Sequence, residues 1–117
     1  MKFARKDHAK MAVRILEDVK DTLPMDPDGM DSLYICDNIQ QVNLKINSPL
    51  TTNIARQLRN WINDLLDCKF SLESWLRDNR GVVCPVTDKA DYFNKLQVTR
   101  HAWLQWMIQE IKTNNKL

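Results

Sequence analysis

Ile54, Leu58, Trp61 (with Ile62 beside it) and Leu65 step along the chain by four, three and four residues. That spacing gathers them on one face of an α-helix and scatters them over both faces of a strand. The same rhythm returns in Ile35, Ile39, Val42 and Ile46. It predicts helices over 52–66, capped by Thr51 or Thr52, and over 31–46, closed by Asn47-Ser48-Pro49. Val42, Leu44 and Ile46 also alternate, as in a strand, but no second strand is visible to pair with them.

The rest of the chain follows this frame. Ala12, Ile15 (with Leu16) and Val19 predict a helix over 7–22 with Asp7 as its N-cap, ended by the breaker run Leu23-Pro24-Met25-Asp26-Pro27-Asp28-Gly29. Ser71 is the expected N-cap of a short helix over 72–80, with Glu73 near its start, Leu72, Trp75 and Leu76 as its apolar positions, and Gly81 after it. Thr87 opens the last helix, 88–112, whose expected stripe is Phe93, Leu96, Trp103, Met107 and Ile111. Thr113 to Leu117 is a polar tail expected to fray. With 117 residues, 2 glycines and 4 prolines, the chain reads as one all-α domain over 1–117, a compact bundle of about five helices.

Charge excludes less than it suggests. The net value is +2, too small to imply a polyanionic partner. The distribution is uneven: residues 1–20 carry six Lys/Arg against three acids, while residues 21–37 carry Asp21, Asp26, Asp28, Asp31 and Asp37 and no cation. The acidic segment reads as a solvated turn and helix start, less readily as a docking surface for a basic partner. Cys36, Cys68 and Cys84 make an odd count. With no apolar leader in MKFARKDHAK and no run of 18 apolar residues, they predict a reducing, cytoplasmic setting and no membrane span.

Catalytic signatures are missing. Gly29 and Gly81 stand alone, so there is no phosphate-binding glycine loop, and neither a nucleophile elbow nor HExxH occurs. Asp26-Pro27-Asp28-Gly29 lacks the ligand spacing and bidentate glutamate of a calcium loop. The cysteines lie 32 and 16 residues apart, without the close pair that zinc sites use. Cys36 reads as a small hydrophobe, and a Cys84–His101 dyad depends on a fold coincidence that the chain order does not imply. No metal, cofactor or enzymatic activity is therefore expected.

Binding residues are better marked. Trp61, Trp75, Trp103 and Trp106 all fall in the second half of the chain. The first three read as core. Trp106 falls off the last helix's stripe and is expected to be partly exposed, where tryptophan favours interfaces. Arg100 takes a stripe position between Leu96 and Trp103. One reading is an internal ion pair, with Glu73 for example, or a stem that snorkels to water. The other is an anion-binding arginine helped by Lys95 and His101 beside an aromatic face.

Lys95-Leu96-Gln97-Val98-Thr99-Arg100-His101-Ala102-Trp103-Leu104, with Leu33-Tyr34-Ile35-Cys36 and Ser71-Leu72-Glu73-Ser74-Trp75-Leu76 upstream, resembles a set of small helical proteins encoded by bacteriophages and prophages. The resemblance covers about residues 30 to 110. It implies origin rather than mechanism, since the set has no agreed function. What it implies is a non-enzymatic host-interaction or counter-defence protein, acting in the host cytoplasm. Such a protein binds and sequesters a host immune signalling nucleotide, or blocks a defence protein. Arg100, Lys95, His101 and Trp106 are the expected contact residues. A homo-oligomer is expected, because so small a chain has little room for a deep pocket. The alternative is a DNA-binding regulator with a helix-turn-helix in 51–80 that turns Arg56, Arg59, Lys69, Arg77 and Arg80 to phosphate. Asp64, Asp67, Glu73 and Asp78 dilute that charge.

Overall fold

The computed structural model describes residues 1–22, 35–67 and 97–117, with side chains placed in 1–22, 35–64 and 104–117. These stretches hold four helices and no strand: α1 (Lys6–Thr22), α2 (Ile35–Ile46), α3 (Pro49–Asp67) and α4 (Gln97–Asn114). The described part is all-α, as the apolar spacing requires. The expected helix over 72–80, the starts of those over 31–46 and 88–112, the breaker run at 23–29, and Cys68 and Cys84 lie outside the described residues.

α1 is the central element. It packs against α4 most extensively, and also against α2 and α3, while α2 and α3 pack on each other. Lys20 Nζ donates to Gln105 Oε1 at 2.7 Å near one end of the α1–α4 pair, and Phe3 N–H reaches Asn115 Oδ1 at 2.8 Å at the other, so the two helices run antiparallel. The core is built from one stripe per helix. α1 supplies Ala9, Ala12, Ile15, Leu16 and Val19; α2 supplies Ile35, Ile39 and Val42; α3 supplies Ile54, Ala55, Leu58 and Ile62; α4 supplies Leu104, Met107, Ile108 and Ile111. Truncating a buried Leu or Ile among them to alanine removes about 2–5 kcal/mol.

Several expectations change at the ends of the elements. Asp7 is not the N-cap of α1. The Arg5 carbonyl accepts the first helical bond, from Ala9 N–H at 3.2 Å, and Asp7 sits inside the first turn. There its Oδ1 meets Arg5 Nε at 3.0 Å. Nor do Thr51 and Thr52 cap α3. Pro49 fits the first helical position, where its missing N–H leaves no bond unmade, and this moves the cap back to Ser48. Ser48 Oγ accepts Thr51 N–H at 3.1 Å and contacts Thr51 Oγ1 at 2.6 Å. α2 ends on Asn47, whose φ of 49° is left-handed and whose N–H donates to the Asn43 carbonyl at 2.8 Å. Asparagine tolerates that conformation better than most residues. Two residues thus reverse the chain, and Thr52 Oγ1 and Arg59 Nη1 tie α3 to Asn43 and Gln40 of α2.

The C-terminal tail does not fray. Leu117 N–H donates to the Lys112 carbonyl at 2.9 Å and Lys116 N–H to Thr113 at 3.4 Å, with Lys116 left-handed at φ 55°. This is the Schellman closure of a helix, built here on lysine rather than glycine. It holds Asn115, which is 7% exposed, against the N-terminal segment. The Asn115 amide accepts Phe3 N–H and donates to the carbonyls of Met1 at 3.0 Å and Ile111 at 2.7 Å. A buried amide whose oxygen and nitrogen both find partners explains why a polar tail packs here.

Candidate functional site

α3 and α4 each carry one placed tryptophan, and the fold brings the two together. Trp61 precedes Ile62 and Trp106 precedes Met107, so each ring flanks the buried stripe of its own helix. The rings stack with centroids 6.4 Å apart and planes inclined by 28°. Both are half-buried against the core margin. Stacking of this kind contributes about 0.5–1.5 kcal/mol beyond the area it buries. The pair is thus largely structural, with part of each ring reaching solvent. Trp61, expected in the core, packs against it from beside the stripe, which leaves part of the indole uncovered.

Of the four expected contact residues, Arg100, Lys95, His101 and Trp106, only Trp106 has a placed side chain. The backbone positions of Arg100 and His101 fall in the first turns of α4, but their side chains, and Lys95 entirely, lie outside the described residues. The Arg100 position is one turn ahead of Leu104 and two ahead of Met107, in register with the buried stripe.

Other chemistry is sparse. Cys36 is half-buried rather than enclosed in the core, and its Sγ lies 3.9 Å from Asn63 Oδ1. Burial pushes its thiol pKa up, and the Asp37 carboxylate adds to this while the Arg59 guanidinium opposes it. The thiol is thus protonated at neutral pH, which suits packing rather than nucleophilic attack. No group of three or more His, Cys, Asp or Glu able to hold a metal occurs among the described residues. No helix there is long and apolar enough to cross a membrane. Beside the α2–α3 turn, Asn47, Ser48, Pro49, Thr52, Asn53 and Arg56 line an open depression of about 490 Å³. Arg56 is exposed at its rim, while Arg59 is engaged with Gln40 at 3.0 Å.

Compared with known proteins, the chain matches no family model, no curated protein and no solved structure. The functional reading therefore rests on these residues and on the sequence.

Proposed function

We propose that this is a non-enzymatic binding protein that captures a planar, anionic ligand against the Trp61–Trp106 pair, and that its role is to sequester a signalling nucleotide of a host. The observation that carries the reading is the stacked, half-open indole pair. A base can stack on such a surface, and base–aromatic stacking is worth about 1–3 kcal/mol per base. Arg100, His101 and Lys95 are the proposed phosphate contacts. The phage resemblance supplies the host-directed role, acting in the host cytoplasm. A second copy could add to this surface, since so small a chain has little room for a deep pocket.

Thermal-shift and tryptophan-fluorescence titrations with cyclic dinucleotides, cyclic trinucleotides and NAD-derived signals test this. Ligand at a hundred times its dissociation constant stabilises by about 2.7 kcal/mol, a Tm rise of about 11 °C for a chain of this size. Trp106→Phe should keep binding and Trp106→Ala should lose it. Flat titrations with every class would overturn the nucleotide reading. A blocked defence protein would then take its place, with the tryptophans as anchors of a protein interface.

A further inference from the structure

α1 carries most of its charges in two blocks, with Asp7, paired to Arg5, the one acid in the first and Lys20 the one cation in the second. Lys6, Lys10 and Arg14 stand four residues apart on the exposed side of its first half, preceded by exposed Lys2, and Glu17, Asp18 and Asp21 follow in its second half. Four helical residues rise about 6 Å, so Lys6 to Arg14 forms a row about 12 Å long. Among the described residues, Lys2, Lys6, Lys10 and Arg14 have no hydrogen-bond or ion-pair partner: Arg5 takes Asp7, and Glu17 goes to Lys112 of α4. Like charges at this spacing repel and destabilise a helix. A single acid at position 10 would turn both repulsive pairs into attractive ones, yet a lysine stands there. At the same end of the bundle, Asn115 draws the end of α4 up to Met1 and Phe3, which brings exposed Lys116 to that end as well.

We propose that this row is a docking surface for the phosphate backbone of a nucleic acid. Three occupants fit a row of unpaired cations, and the neighbouring residues separate them. An anionic bilayer binds firmly when apolar side chains insert beside the charges, but along α1 every large apolar residue is wholly or partly covered by the core, and exposed Leu117 stands on α4's end rather than in the row. A second copy laid antiparallel would face Lys6 with Asp21 and Lys10 with Glu17. Exposed ion pairs contribute too little to offset the freedom lost on association, and this face offers no apolar centre to add to them. Phosphate backbone requires only exposed, unpaired cations in series, and releases counterions when they bind. Contacts of this class carry no sequence information, so the surface takes any sequence. It stands apart from the ligand surface proposed above. Gln105, next to Trp106, meets Lys20 at the far end of α1.

Fluorescence anisotropy of a labelled 20-base-pair duplex of arbitrary sequence, titrated with the full chain in 50 and 200 mM NaCl, tests the surface. Four phosphate contacts give a slope of log affinity on log salt of about −3.6, or about a 150-fold weakening over that range. The Lys6→Gln/Lys10→Gln/Arg14→Gln variant changes exposed residues only and should keep or raise its Tm. Its slope should fall to about −1. Trp106→Ala should leave duplex binding unchanged, which separates this surface from the nucleotide reading. The proposal is overturned by no binding in 50 mM salt, by a triple variant that keeps the parent slope, or by a salt-dependent dimer that leaves the row closed to duplex. It is overturned equally if vesicles of anionic lipid bind the row and duplex does not.

Discussion

Replacing Asn115 by alanine removes one amide and breaks three hydrogen bonds, two of which cross to the start of the chain. The magnitude follows from what is left behind. Phe3 N–H, buried with its residue at 6% exposure, loses its acceptor, and an orphaned buried donor costs about 1–3 kcal/mol. The Met1 and Ile111 carbonyls lose a donor as well, although Ile111 still accepts Asn115 N–H at 3.0 Å. The total expected loss is about 2–4 kcal/mol. With an unfolding entropy of about 2.1 cal/mol/K per residue, that lowers Tm by about 8–16 °C. Differential scanning calorimetry on the full chain reads this directly. Asn115→Asp separates the bonds from the side-chain volume. The ionised carboxylate still accepts Phe3 N–H but confronts two carbonyls, which raises its folded pKa above the unfolded value. Stability of that variant should be highest at low pH and fall as pH rises through the folded pKa. A drop of less than about 2 °C for Asn115→Ala, or an aspartate variant whose stability is flat with pH, would show that the amide does not hold the two ends together.

Three further outcomes are expected. Ser48→Ala removes the side-chain cap of α3 and should lower stability by about 1 kcal/mol, read from the midpoint of urea unfolding. Lys116→Gly should raise stability by about 0.5–1 kcal/mol, because the left-handed φ of 55° penalises a Cβ and suits glycine. Cys36, its thiol pKa raised by burial, should react slowly with a disulfide reagent at pH 7 and speed up only in strongly alkaline solution. The sign for stability is the same: the contribution is whole below the unfolded thiol pKa and is lost as pH rises through the folded one.

What the sequence reveals depends on how one-sided each helix is. In α1 and α3 the apolar residues recur on one face; Ala12, Ile15, Leu16, Val19, Ile54, Leu58 and Ile62 are buried as the spacing picks out, with Ala9, Val13 and Ala55 added at the edges and Trp61 only half-buried. α2 follows its stripe through Ile35, Ile39 and Val42, but Ile46 is exposed because the chain turns there at Asn47. α4 is less one-sided: apolar residues stand all round it, so the spacing marks a stripe through Met107 and Ile111 and not Leu104 and Ile108, which are equally buried. Tertiary partners explain the rest. The mate of Trp106 is 45 positions away at Trp61, and those of Asn115 are at the other end of the chain. An asparagine just past a helix is ordinarily a local cap, and nothing in its neighbours marks a longer reach.

The bond from Asn115 to Phe3 spans 112 positions and has a consequence for synthesis. α1 is made before α4, its most extensive packing partner among the described helices. At about 5–20 residues per second, about 6–22 s separate the addition of Phe3 from that of Asn115. Throughout that interval the side of α1 that belongs to α4 lacks that helix. A nascent chain of this design offers an apolar helix to chaperones until α4 emerges, and the packing of α1 is timed by the ribosome.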